Sequence, residues 1–194
     1  MKYFLKIADN VDVMPILTEL QRHPELWNQY RLRKDRTNSP HVEMSDIWVR
    51  YRDINKYVEE HGEDFSKFND EHDGVWYPSF YAIPQLRPII FGLMARVEGE
   101  RLGGVLITKI PPGGKIAKHR DFGWHVVNYD KYYISLQSGE GARFFCQDES
   151  INPRQGDIYL FDNKHEHWVE NNSDTDRITL IVCIQSHKFD KRVK

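Results

Sequence analysis

Eight short strand-like runs crowded between Gly103 and Gln185, and helical periodicity confined to the first hundred residues, predict a mainly β chain with N-terminal helices. The core expected from that pattern is a double-stranded β-helix, the double-sheet jelly roll of the cupin type. An apolar content of 40% with 13% aromatics in 194 residues supports one globular domain. Within residues 1–194 the reading is a helical layer, an edge strand and a possible lid over 1–102, and the β-helix core over 103–187.

Between Val11 and Tyr30, Val13, Ile16, Leu17 and Leu20 recur at helical spacing, and Pro24 opens a second short helix. "SDIWVRYRD" (45–53) then alternates as a strand, with Ile47, Val49 and Tyr51 on one face and Trp48, Arg50 and Arg52 on the other. Residues 54–80 are polar and acidic, broken by Gly62, Gly74 and Pro78, and read as a long excursion that could act as a lid. The acidic part, including His61 and His72, reads as a solvated face. "PQLRPIIFGLMARVEGE" (84–100) has the apolar density of a packed helix. After it come "GVLITKI", "KIAKHRD", "KYYISLQS", "ARFFCQDE", "ESINP", "DIYLFD", "HEHWVEN" and "RITLIVCIQ", punctuated by Gly and Pro as closely spaced antiparallel strands require. The basic tail "HKFDKRVK" reads as a frayed terminus.

A net charge of −2 provides no general attraction to a polyphosphate backbone, so nucleic acid is not the expected partner. No segment approaches the roughly 18 uncharged apolar residues of a membrane span, and a cytoplasmic location is expected. Cys146 and Cys183 are far apart in strand-like runs and read as small buried hydrophobes without a function.

The chemistry is concentrated in "KHRDFGWHVV" (118–127) and "FDNKHEHWVENNSDTDRITLIV" (161–182). Residues i and i+2 of a strand share a face, so His119 and Asp121 project together from the second run, and His165 and His167 from the seventh. Two imidazoles and one carboxylate on one side of a metal leave positions open, as suits non-haem Fe(II) reacting with oxygen, whereas a closed structural zinc site takes four ligands. Arg177 opens the last run with Thr179 on its face; a guanidinium pointed inward needs a planar carboxylate for its bidentate fork. His125 is either a loop histidine or a substrate contact, and Trp124 and Trp168 are candidates to line the pocket.

Residues 103–185, and more loosely "DIWVRY", resemble the aspartyl/asparaginyl β-hydroxylase family of Fe(II)- and 2-oxoglutarate-dependent oxygenases. "GDIYLFDNKHEHWVEN" is similar to that family's distal-histidine segment, in which the ligand follows an acidic residue. The resemblance therefore implies a ligand set of His119, Asp121 and His167, with His165 beside it. The spacing of ten from His167 to Arg177 and the Arg-x-Thr pattern match the family's site for the C5-carboxylate of 2-oxoglutarate. Lys131, Tyr133 and Ser135 fall on the strand where the family keeps basic or polar residues near the cosubstrate. The animal β-hydroxylases lack the metal carboxylate; His-Arg-Asp here is similar to the bacterial free-proline hydroxylase branch.

The resemblance implies a dioxygenase that uses O2, releases succinate and CO2, and hydroxylates a C–H bond of a small-molecule or peptidyl amino-acid substrate. Trp48, Arg50, Trp124 and His125 are the candidate substrate contacts. The rival is a non-oxygenase cupin, either a metal-dependent isomerase or a small-molecule binding module, since jelly rolls host unrelated functions. Arg177 discriminates, because a barrel without a dicarboxylate cosubstrate has no need of an inward arginine there.

Overall fold

The eight runs read between Gly103 and Gln185 are eight strands. The computed structural model describes residues 1–35 and 38–186, and the tail expected to fray lies outside them. Along the chain, β1 (Phe4–Ala8) is followed by α1 (Met14–Arg22), a 3-10 turn (Pro24–Leu26), α2 (Leu32–Asp35), β2 (Ser45–Arg52) and α3 (Ile54–His61). Then come β3 (Gly74–Trp76), α4 (Pro78–Ala82), α5 (Leu86–Arg96), β4 (Arg101–Ile110), β5 (Lys115–His119) and α6 (Trp124–Asn128). The rest is β6 (Asp130–Gln137), β7 (Ala142–Cys146), β8 (Glu149–Ile151), β9 (Ile158–Phe161), β10 (His167–Asn171) and β11 (Arg177–Gln185).

Among the described residues these strands form two antiparallel sheets, one of seven in the order β1-β9-β6-β11-β4-β2-β3 and one of four in the order β5-β10-β7-β8. Alternation assigns the faces of the large sheet. Ile178, Leu180, Val182 and Ile184 of β11, with Tyr132, Ile134 and Leu136 of β6, pack in one core with Ile16, Leu17 and Leu20 of α1 and Leu86, Ile90 and Leu93 of α5. Burying each aliphatic side chain contributes about 1.5–3 kcal/mol, so this face anchors the sheet. The opposite face carries Arg177 and Thr179 of β11 and Tyr133 and Ser135 of β6, and looks into the roll. There Phe144 and Cys146 of β7 pack against Phe4, Phe161 and Ile110.

Local signals agree with the elements. Pro15 sits in the first turn of α1, where its missing N–H costs nothing. Asp53 caps α3 by accepting from the backbone N–H of Asn55 and Lys56, and Gly62 ends it at φ 59°. Gly156, at φ 80°, lies against the backbone of Val11, whose carbonyl oxygen a Cβ would approach to 2.6 Å.

Four expectations change. β1, unrecognised in the sequence, forms one edge of the large sheet; only Phe4 of its five residues is buried, and Leu5 is 42% exposed, so no apolar alternation marks it. β2 is not an edge strand, because the short β3 pairs outside it. Since β1, β2 and β3 share a sheet with β4, β6, β9 and β11, residue 102 marks no structural boundary. The excursion over 54–80 carries α3, β3 and the start of α4, and His72 is half-buried rather than solvated, its ring 4.7 Å from that of His125. No helix among the described residues is long and apolar enough to cross a membrane.

Candidate metal centre and the cavity beside it

His119 closes β5 and His167 opens β10, and the two are register partners across that antiparallel pair. Their ring centroids stand 4.3 Å apart. Asp121 lies two residues beyond the end of β5, so it reaches the histidines by a turn rather than by sharing a strand face. Its Oδ1 is 3.7 Å from His119 Nε2 and 4.0 Å from His167 Nε2. One donor atom from each of the three lies within 4.8 Å of the others. His165 likewise shares no face with His167, because β10 begins only at His167. Its half-exposed ring faces Asp162, with Nε2 3.4 Å from Oδ2, and packs edge-on against Tyr3.

The imidazoles are oriented from behind. His119 Nδ1 donates to the carbonyl of Ala117 at 2.7 Å and His167 Nδ1 to that of His165 at 2.9 Å, which leaves both Nε2 lone pairs for a cation. Burial lowers the pKa of His119, and lowers that of His167 to about 4, so both rings are neutral ligands near neutral pH. Asp121 is set from its other oxygen: Oδ2 accepts from Lys131 Nζ and, at 3.1 Å, from Asn163 Nδ2. Burial works to raise the Asp121 pKa, but the charge of Lys131 and these two hydrogen bonds outweigh it and hold the carboxyl well below its usual range. One carboxylate and two neutral imidazoles, each held by an outer partner, fit a divalent iron with positions left for other ligands.

Arg177 is 3% exposed, and no carboxylate pairs with it among the described residues. Burial lowers its pKa to about 10, with Tyr133 partly opposing. Its Cζ lies 5.8 Å from the centroid of the Phe144 ring, and that centroid is 6.2 Å from the His167 ring, so one phenyl separates the buried cation from the metal ligands. Across the sheet, Thr179 is opposite Ser135 on one side and Thr108 on the other, all three buried. Arg177 has hydroxyls on its face of the sheet and no acid paired with it among the described residues, since Asp46, the register partner of Thr108, is taken by Arg33; this fits the far carboxylate of a dicarboxylate cosubstrate. Lys131 shares the face of Tyr133 and Ser135, and its ammonium is engaged by Asp121.

Beside the triad are two adjoining cavities of about 170 and 380 Å3, which share Arg33, His41, Tyr51, Asn69, Asp121 and Phe122. Of the four candidate substrate residues, His125 reaches a wall. Trp48, Arg50 and Trp124 do not. A register shift between Trp48 and Arg50 breaks the expected alternation of β2. Trp48 is buried against Tyr30, Tyr77 and Phe68, while Arg50 donates to the Gly103 carbonyl at 2.9 Å and lies over Trp76. Trp124 packs on Tyr129 beneath Arg101. Trp168 stacks on Phe145. Cys183, read as inert filler, borders the smaller cavity. The sequence reading missed Arg33, His41, Asn69 and Asn163; Asn163, two residues before His165, and Asn69, in the 54–80 excursion, lie inside segments already singled out.

A family model described as Aspartyl/Asparaginyl beta-hydroxylase matches residues 75–186. The oxalate-binding protein of Thermotoga maritima is 33% identical over 76 residues, 39% of this chain, and the chain spans 57% of that relative's length. Among solved structures, a prolyl hydroxylase from Trichoplax adhaerens, in complex with a hypoxia inducible factor oxygen degradation domain peptide fragment, is similar over 100% of this chain and 88% of its own, with a TM-score of 0.58 at 12% identity. The viral collagen prolyl hydroxylase from Paramecium Bursaria Chlorella virus-1, in its 2OG complex, is similar over 95% of this chain and 97% of its own, with a TM-score of 0.56 at 10% identity. At those identities the two structures bear on the fold alone.

Proposed function

We propose that this chain, which belongs to the aspartyl/asparaginyl β-hydroxylase family, is an Fe(II)- and 2-oxoglutarate-dependent dioxygenase that hydroxylates a C–H bond of an amino acid or amino-acid side chain. The observation that carries the reading is the pairing of two features: an open His119–Asp121–His167 donor set, and an unpaired buried Arg177 one phenyl ring away.

When bound, Fe(II) with 2-oxoglutarate and O2 supplies the oxidant for an unactivated C–H bond, and the cosubstrate leaves as succinate and CO2. The chain's own residues do the rest. His119 and His167 present Nε2 because backbone carbonyls hold their Nδ1 protons. Lys131 and Asn163 occupy Asp121 Oδ2, so the carboxylate offers Oδ1 to the metal. Arg177 receives the far carboxylate of 2-oxoglutarate, with Thr179 as a further donor. The rings of Phe144 and Phe161, the latter 4.7 Å from the His167 ring, exclude water behind the metal.

A non-oxygenase cupin is the second reading, favoured by the sequence match to an oxalate-binding protein. The two diverge at Arg177. Incubating the iron-loaded protein with 2-oxoglutarate and a screen of amino acids and short peptides should release succinate, and Arg177→Leu should suppress it. Metal binding with no succinate under any of these conditions would favour the cupin reading.

A further inference from the structure

On the oxygenase reading, we propose that the substrate is a free amino acid held by its carboxylate, with Arg33 and Asn69 as the receptor. Arg33 comes from α2 and Asn69 from the turn ahead of β3, and both border both cavities beside the triad.

The argument starts from charge. Among the described residues, Asp121 is the one acid on these walls, and it is taken up by Lys131 and the metal site. The cations are Lys131, already paired; Arg120, exposed to solvent; and Arg33. Arg33 is also paired, with Asp46, but through one nitrogen, so most of its fork is left for a ligand. Its side chain is 19% exposed, and Nη1 donates at 3.1 Å to Asp46, itself 4% exposed and also accepting from Trp48 Nε1. That anchor uses one of five guanidinium N–H groups and fixes the plane of the fork, the preorganisation that bidentate carboxylate binding rewards. Asn69 is oriented in the same manner: its Oδ1 accepts from the Tyr51 hydroxyl at 2.7 Å, which leaves the amide NH2 as a donor.

The partners for an ammonium group are neutral imidazoles. Burial, with nearby positive charge, brings His125 to about 4. His41 Nδ1 and His125 Nε2 are buried without a hydrogen-bond partner, so no protein group there fixes either tautomer, and both rings border the smaller cavity. Size is compatible. The cavity bounded by Asp121, His125 and Lys131 holds about 170 Å3 and its neighbour about 380 Å3, enough for a free amino acid beside the triad.

The test separates this inference from the oxygenase reading. Full-length protein loaded with Zn(II), which is redox-inactive, and 2-oxoglutarate is titrated with the common L-amino acids and with the carboxamide of each, and binding is followed by thermal shift and calorimetry. At least one acid should bind, with its carboxamide about tenfold or more weaker, as loss of a charge-assisted contact requires. Arg33→Lys and Asn69→Ala should each weaken that acid, Arg33→Lys by about tenfold or more. Asn69 is exposed, so its variant keeps the test valid should Arg33→Lys misfold. Equal binding of acid and amide, binding of peptides with blocked C-termini alone, an unresponsive panel, or wild-type affinity in Asn69→Ala and in any folded Arg33→Lys would each overturn the proposal. Failure of the oxygenase reading registers elsewhere, as absence of succinate from wild-type iron-loaded protein given the acid that binds.

Discussion

Lys131 Nζ is bound to Asp121 Oδ2, the oxygen turned away from the two histidines. The pair sets both the charge and the angle of the proposed metal carboxylate, and it makes the acid limit of the site predictable. In Lys131→Met the carboxyl loses the largest influence that depresses its pKa, while burial, which raises it, stays. Protons then compete with the metal at higher pH. The midpoint for metal release on acidification should move upward, measured as metal retained after dialysis across a pH series. An unmoved midpoint would mean that Asp121 is not a ligand.

Removing the carboxylate outright tests the ligand set. Asp121→Ala leaves two neutral imidazoles facing a divalent cation, and Fe(II) retention at neutral pH should fall steeply. Retention and succinate formation at wild-type level would show that this chain works without a metal carboxylate.

The neighbouring histidines should separate cleanly. His167→Ala removes a donor and should abolish succinate formation. His165→Ala removes a half-exposed ring but keeps the backbone carbonyl that orients His167, so it should lose at most the roughly 10- to 100-fold typical of outer-shell changes. The opposite ranking would move the distal ligand.

Arg177→Met should split stability from binding. The wild-type protein buries a guanidinium without an acidic partner, so an apolar chain of similar length should raise the thermal midpoint of the cosubstrate-free protein. The same variant should lose the stabilisation that 2-oxoglutarate gives wild type, about 2.7 kcal/mol at a hundred times Kd. A destabilised variant that still responds to 2-oxoglutarate would contradict both halves.

Buried imidazoles, His167 and His125 among them, shape the pH response of the chelated protein. His167 and His125 each have a folded pKa of about 4, against about 6.5 unfolded. Below 6.5 the unfolded chain therefore binds the extra protons. Stability should fall as pH drops from about 6.5 to about 4 and change no further from these groups below that. At 1.36 kcal/mol per pKa unit, His167 alone contributes about 3 kcal/mol. Thermal melts across this range on wild type and His167→Gln should show a shallower fall in the variant.

The β-helix was legible because each of its strands has one face on a core: Ile178, Leu180, Val182 and Ile184 announce β11 by alternation alone. β3 escaped notice because three residues cannot show a period, and β1 because its outward Leu5 breaks one. In the site, His119, Asp121, His167 and Arg177 stood out by type and spacing. Their shared faces did not survive, since β5 stops at His119 and β10 starts at His167. Arg33, His41 and Asn69 carry no local signal at all. They meet Asp121 through tertiary packing of aperiodic segments, which sequence spacing does not encode.

Two of the three donors are register partners on adjacent strands, and one of those strands, β5, is an edge strand of the small sheet, two of whose outer N–H groups donate to the Pro40 carbonyl and the Glu43 carboxylate. A slip of one residue would turn one imidazole to the far side. Any ion held between His119 and His167 would consequently be a rivet through the margin of the sheet. The dependence also runs the other way. Length changes in the loops between the strands from Asp121 to Asn163 leave the two imidazoles in place, whereas a single inserted residue within β5 unfastens the rivet while leaving every candidate ligand in the sequence.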